Sequence, residues 1–218
     1  MTTQPVSLGR GNQLGAWLAG ALTCALLVAL AYEFVDRPVA LFVHAHGHGT
    51  SGFNWLTYIP EPFVPIACFG LLYVFLERAG GRPMSWFGDA VLRCSLSVLA
   101  ATAIKDQLKY VFGRTWPETW IGDNPSFIAD GVYGFNPFHG GAGWASFPSG
   151  HTAAIFSVAS ALWLLWPRLR LLWALGCALV MIGLIGADFH FVSDIIAGAY
   201  LGTACGVTAA LLGRRELS

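Results

Sequence analysis

Six stretches of the chain are free or nearly free of charge: residues 16–32, 63–76, 90–104, 152–166, 171–187 and 195–212. With their flanks, each approaches the roughly 20 residues that a helix needs to cross a bilayer, so the pattern predicts six transmembrane helices. The second run is the weakest, because it carries Pro62 and Pro65 and is short unless it begins near Tyr58; five helices is the alternative. The connection PRLR at 167–170 is tight, which makes the fourth and fifth helices antiparallel neighbours. By contrast, residues 114–148, RTWPETWIGDNPSFIADGVYGFNPFHGGAGWASFP, form a long segment rich in glycine, proline and aromatics. A loop of this length is usually functional or disordered, and its aromatics favour a lid or platform lying on the membrane surface. In the last run Gly198, Gly202 and Gly206 recur every four residues, a pattern that lets a neighbouring helix approach closely. The expected fold is therefore all-α: one domain over residues 1–218, an integral membrane bundle of six transmembrane helices with a long non-cytoplasmic loop between helices 3 and 4.

Composition agrees. Of the 218 residues, 56% are hydrophobic and 11% charged, and the mean hydropathy is +0.60, which excludes an ordinary soluble domain. Twelve Lys and Arg balance twelve Asp and Glu, so no general basic surface exists to hold a nucleic acid. Cys24, Cys68, Cys94, Cys177 and Cys205 all fall inside apolar runs, as small packing residues rather than a disulfide framework. The first run ends in ALAY, which resembles a signal-peptidase site, but its apolar core is longer than a usual signal core, and retaining it gives an even helix count. With the N-terminus inside, Arg10, the pair Arg78 and Arg82, the pair Arg168 and Arg170, and the pair Arg214 and Arg215 all become cytoplasmic. Both termini are then cytoplasmic. The opposite side receives Arg37, Lys109 and Arg114, with Arg93 and Lys105 nearer the helix ends, and these basic groups need another explanation.

That explanation lies in three polar patches: KYVFGRTWP (109–117), PSGH (148–151) and HFVSD (190–194). The first follows the third helix, the second precedes the fourth and the third joins the fifth to the sixth. Alternation of the helices puts all three on one membrane face. A helix start with Ser149 and Gly150 exposes backbone N–H groups suited to an anion, although Ser149 also reads as an ordinary cap. If His190 and Asp194 occupy the first turn of the sixth helix, their i, i+4 spacing lets the carboxylate accept one imidazole N–H and fix the tautomer. The other nitrogen is then free as a nucleophile or base.

PSGH, a downstream His-x-x-x-Asp and an upstream lysine before FGRTWP together resemble the type 2 phosphatidic acid phosphatase and vanadium haloperoxidase superfamily, over about residues 58–212. The family's first signature is a lysine followed after six residues by Arg-Pro. Lys109 fits that lysine, but Trp116 holds the arginine slot before Pro117. In the third signature Gly183 and Leu184 stand in the Ser-Arg slots, while His190, Ser193 and Asp194 are kept. Two arginines of the family are thus missing, and Arg114, by proximity, is the expected substitute for one.

The resemblance implies a metal-independent, cofactor-free lipid phosphate phosphatase. His190 attacks phosphorus to form a phosphohistidine, Asp194 orients it, and His151 protonates the leaving group. Lys109, Ser149 and the N–H of Gly150 bind the phosphate, with Arg114 expected beside them. The two histidines must hold opposite protonation states, so a bell-shaped pH profile of activity is expected, and a monotonic profile from about pH 4 to 9 would contradict the assignment. The expected partners are membrane lipids and a lipid phosphate substrate: phosphatidic acid, phosphatidylglycerol phosphate, a polyprenyl pyrophosphate or a lipid A-type glycolipid. A bacterial inner membrane is the expected setting, with the site facing the periplasm or exterior. A phosphotransferase with the same intermediate, or a catalytically impaired lipid-binding or transport relative, is the alternative. The tract HAHGHG (44–49) offers three histidines with no cysteine or carboxylate nearby in sequence, and no metal site is expected there.

Overall fold

The computed structural model describes residues 10–47, 51–119 and 122–212. Among these the chain is all-helical, with isolated bridges but no strand. The helices are α1 (Arg10–Phe34), α2 (Asp36–Gly47), α3 (Ser51–Thr57), α4 (Phe63–Ala79), α5 (Trp86–Phe112), α6 (Phe127–Asp130), α7 (Gly150–Leu165), α8 (Arg170–Gly186) and α9 (Val192–Leu211). The six apolar runs fall in α1, α4, α5, α7, α8 and α9. The segments Leu14–Phe34, Trp86–Phe112, Pro167–Gly186 and Val192–Leu211 are long and apolar enough to cross a membrane, whereas α4 and α7 have 17 and 16 residues. The outward face of α1 is apolar, with Leu14, Leu18, Leu22 and Leu26 exposed, as a lipid-facing helix requires.

Local chemistry fixes the helix ends that matter. The Ser85 side chain caps α5 by accepting the Gly88 N–H at 2.9 Å. At its other end Gly113 adopts the left-handed conformation (φ 55°) and donates to the Lys109 carbonyl at 2.8 Å. A Cβ at 113 would strike the Asn136 backbone, so the loop returns against the end of α5 only because this residue is glycine. The described residues of the 114–148 segment fold back on one another: Arg114 bridges to Phe135 and Ala145, and Trp116 to Ser126.

α7 packs against α5, α8 and α9, so the expected pairing of α7 with α8 is present. Ile155, Val180, Leu184 and Ile195 form the core where α7, α8 and α9 meet. The glycine ladder of α9 faces α7: Cβ atoms added at Gly198, Gly202 and Gly206 would collide with the carbonyl oxygens of Ser149, Ala153 and Ser157. The close approach is therefore backbone on backbone. Gly202→Val is expected to push the two helices apart at a cost of about 1–3 kcal/mol, seen as a lower Tm in detergent and a loss of activity; an unchanged Tm would refute this packing.

Candidate active site

The start of α7 and the start of α9 are joined by main chain, since the Ser149 N–H donates to the Asp194 carbonyl at 3.0 Å. That link, with Gly198 allowing contact, brings His151 and His190 to the wall of one cavity of about 390 Å³. Lys105, Lys109, Trp116 and Gly150 line it too, and Pro60, Glu61 and Val64 line it from the α4 side. Lys105 lies against the Gly150 backbone and pairs with Asp106 at 2.6 Å.

His190 precedes α9 by two residues instead of occupying its first turn, because Phe191 is the N-cap and helical backbone begins at Val192. The expected contact still forms: His190 Nδ1 lies 3.3 Å from Asp194 Oδ2. Asp194 is the third residue of α9, where a carboxylate accepts the N-cap amide, here Phe191 N–H at 3.0 Å. It also accepts from Ser146 Oγ at 2.6 Å and from Arg114 at 2.5 Å. Nδ1 is thus committed to the carboxylate, which leaves Nε2 for the cavity. Burial pushes the pKa of His190 below its usual value, against the smaller opposing pull of Asp194; Lys109 and Arg114 push the same way as burial. A neutral imidazole is the form a nucleophile needs.

Ser149 caps α7, its hydroxyl accepting from the Thr152 N–H at 3.4 Å and the Thr152 hydroxyl at 3.0 Å. It is fully buried and outside the cavity lining. Arg114, expected at the phosphate, is also elsewhere. Its side chain is fully buried behind His190, bonded through Nη1 to Asp194 and to Ser193 Oγ (2.6 Å), and through Nη2 to Asp36 at 2.7 Å. Rings of Phe191, Phe135, Tyr32 and Tyr133 surround the guanidinium, its Cζ lying 4.4–5.4 Å from their centroids. Burial opposes its charge, but Asp194 and Asp36 outweigh burial and raise its pKa. The reason for the displacement is the turn at Gly113, which carries the chain away from the Lys109 face of α5.

Asp36 escaped sequence reading. It opens α2, is buried, and accepts from Arg114, from the Ser193 N–H at 2.9 Å, from the Ser193 hydroxyl and from Tyr133 at 3.2 Å. The signal was a carboxylate directly after an apolar helix, but nothing local named its partner. Ser146, which ties the long loop to Asp194, carried no signal at all.

The two arginine slots have opposite fates. Leu184 is fully buried in the core, and Gly183 packs against Leu56 and the Phe53 backbone, so the third-signature slots give nothing to the cavity. Trp116 does face it. Its ring centroid is 5.0 Å from that of His190 and 5.5 Å from Lys109 Nζ, and its indole N–H donates to the Ala142 carbonyl at 2.8 Å.

A family model described as the PAP2 superfamily matches residues 90–216. The chain belongs to the PAP2 superfamily. It is 30% identical over 202 residues to a lipid A 1-phosphatase of Rhizobium etli, covering 85% of this chain and 80% of that one. A lipid A 1-phosphatase of Rhizobium johnstonii is 30% identical over 215 residues, covering 91% and 82%. Among solved structures, Aquifex aeolicus LpxE aligns with a TM-score of 0.53 at 20% identity, over 80% of this chain and 94% of that one. A PAP2-type phosphatidylglycerolphosphate phosphatase of Bacillus subtilis gives 0.54 at 17% identity, over 88% and 93%. These likenesses bear out the resemblance and place the chain among membrane phosphatases. In this PAP2 protein the cavity cations are Lys105 and Lys109, and Lys109→Ala is expected to lower kcat/KM by about 10²–10³, the usual loss for one preorganised donor to developing charge. A fall of less than threefold would remove Lys109 from the site.

Proposed function

We propose that this PAP2 protein is an integral-membrane lipid phosphate phosphatase acting on the phosphate of a lipid A-type glycolipid through a phosphohistidine intermediate. The observation that carries the reading is that His151 and His190 share one cavity with Lys109 while Asp194 holds Nδ1 of His190. The named relatives point to the glycolipid among lipid phosphates. Nε2 of His190 attacks phosphorus; the bond from phosphorus to the lipid oxygen breaks, and that oxygen takes a proton from His151. Water then gives its proton to His151 and attacks phosphorus, breaking the N–P bond and returning His190 neutral. Lys105, Lys109 and the Gly150 N–H receive the phosphate oxygens. The negative charge of the bound phosphate favours the proton on His151 and offsets the repulsion of the two ammonium groups in the same cavity. No metal enters either step.

Six membrane crossings, cytoplasmic termini and a site facing the periplasm complete the proposal, because the substrate then keeps its chains in the bilayer and presents only phosphate. The test is phosphate release from lipid A, phosphatidic acid, phosphatidylglycerol phosphate and undecaprenyl pyrophosphate in detergent. Release from lipid A, lost in His190→Ala, supports the reading. Equal release by wild type, His190→Ala and His151→Ala would end it, and transfer of the phosphate to a second lipid instead of water would make the protein a phosphotransferase.

A further inference from the structure

His44, the first histidine of the HAHGHG tract in which no metal site is expected from sequence, meets two carboxylates in the fold. Its Nδ1 lies 3.2 Å from Glu118 Oε2 and 3.1 Å from Asp188 Oδ2, and the three ligand atoms all lie within 4.8 Å of one another. The residues come from three separate elements: α2, the loop that follows α5 and the turn between α8 and α9. None of them lines the catalytic cavity. We propose that His44, Glu118 and Asp188 form a binding site for a divalent transition-metal ion of the zinc type, which clasps the turn carrying His190.

Spacing, charge and chemistry agree. An ion with ligand bonds of about 2.0–2.1 Å in tetrahedral geometry sets its ligands roughly 3.3 Å apart, close to the two separations from Nδ1. One imidazole nitrogen with two carboxylate oxygens suits zinc or a neighbouring transition ion, whereas calcium and magnesium prefer oxygen alone. The two carboxylates offer two negative charges for a dication to balance. Asp188 is buried, while the side chains of His44 and Glu118 are 31% and 17% exposed, so two of the three ligands are in reach of solvent. The second oxygen of Glu118 already accepts the Thr119 N–H at 2.8 Å, which turns Oε2 toward His44. Asp188 also holds a left-handed backbone (φ 56°), uncommon for a residue with a side chain, and so delivers its carboxylate to this point.

The experiment uses the full chain in detergent, stripped with chelator, re-equilibrated with micromolar Zn²⁺ and desalted. Metal content is measured by mass spectrometry and Tm by differential scanning fluorimetry. About one zinc per chain and a Tm that rises with Zn²⁺ are expected for wild type. Both should persist in His190→Ala, which removes the cavity imidazole, and in His46→Ala, whose ring is instead held on the Phe42 carbonyl. His44→Ala and the conservative Glu118→Gln should retain less than a tenth of the zinc while remaining monodisperse with unchanged helical circular dichroism. Wild type without zinc, or monodisperse His44→Ala and Glu118→Gln with zinc equal to wild type, would overturn the site. Zinc lost in His190→Ala but kept in His44→Ala would place the ion in the catalytic cavity and overturn it equally.

Discussion

His190→Ala is expected to abolish phosphate release, with kcat falling by on the order of 10⁴-fold or more, the usual consequence of deleting a covalent nucleophile. His151→Ala should fall by about 10²–10⁴, since it removes proton transfer but leaves the attacking nitrogen. The two effects differ in kind. A rapidly quenched reaction of His151→Ala with a substrate bearing a good leaving group, which needs no proton, should recover much of the lost rate and accumulate phosphoenzyme, whereas His190→Ala should form none. The measurement is acid-labile, base-stable phosphate on the protein. Phosphoenzyme in His190→Ala would move the nucleophile elsewhere, and His151 would then be the first alternative in the same cavity.

The second large effect belongs to a residue that never meets substrate. Arg114→Met is expected to destabilise the protein by about 3–5 kcal/mol, the range for removing one partner of a buried ion pair. It would leave Asp36 and Asp194 as neighbouring buried carboxylates without their shared cation. Arg114→Lys keeps the charge but lacks the planar fork that joins Asp194 through one nitrogen and Asp36 through the other. In that milder variant kcat should fall at least tenfold with KM changed less than threefold, because the arginine supports the carboxylate that orients His190. A phosphate-binding arginine would give the opposite split, with KM raised. Asp36→Asn should reproduce the kcat loss from the other end of the same chain of bonds; wild-type kinetics in both variants would reduce the network to scaffolding.

These residues also mark how far the sequence could be read. Apolar runs announce helices because a membrane demands uninterrupted apolar side chains, and every run lies in a helix. The contact between His190 and Asp194 was legible for a local reason: the two lie four positions apart, and the turn that begins α9 closes the distance whatever the rest does. His151 required only the order of the helices. Arg114 was misplaced because nearness along the chain to Lys109 says nothing about side, and one left-handed glycine turned it from the cavity to the interior. Asp36 and Arg114 are 78 residues apart, as Asp194 and Arg114 are 80. No periodicity links such partners; only packing does. The same holds for His44, whose carboxylates arrive from the far side of the chain.

The enclosure of Arg114 by four aromatic rings has a practical consequence. Its attraction for the two aspartates crosses no solvent, so mobile ions cannot shield it, while Lys105 and Lys109 face an open cavity where dissolved electrolyte can. Raising ionic strength should therefore weaken capture of the anionic lipid head and leave the turnover of captured molecules nearly untouched, making ordinary sodium chloride a reagent that separates the two halves of the reaction.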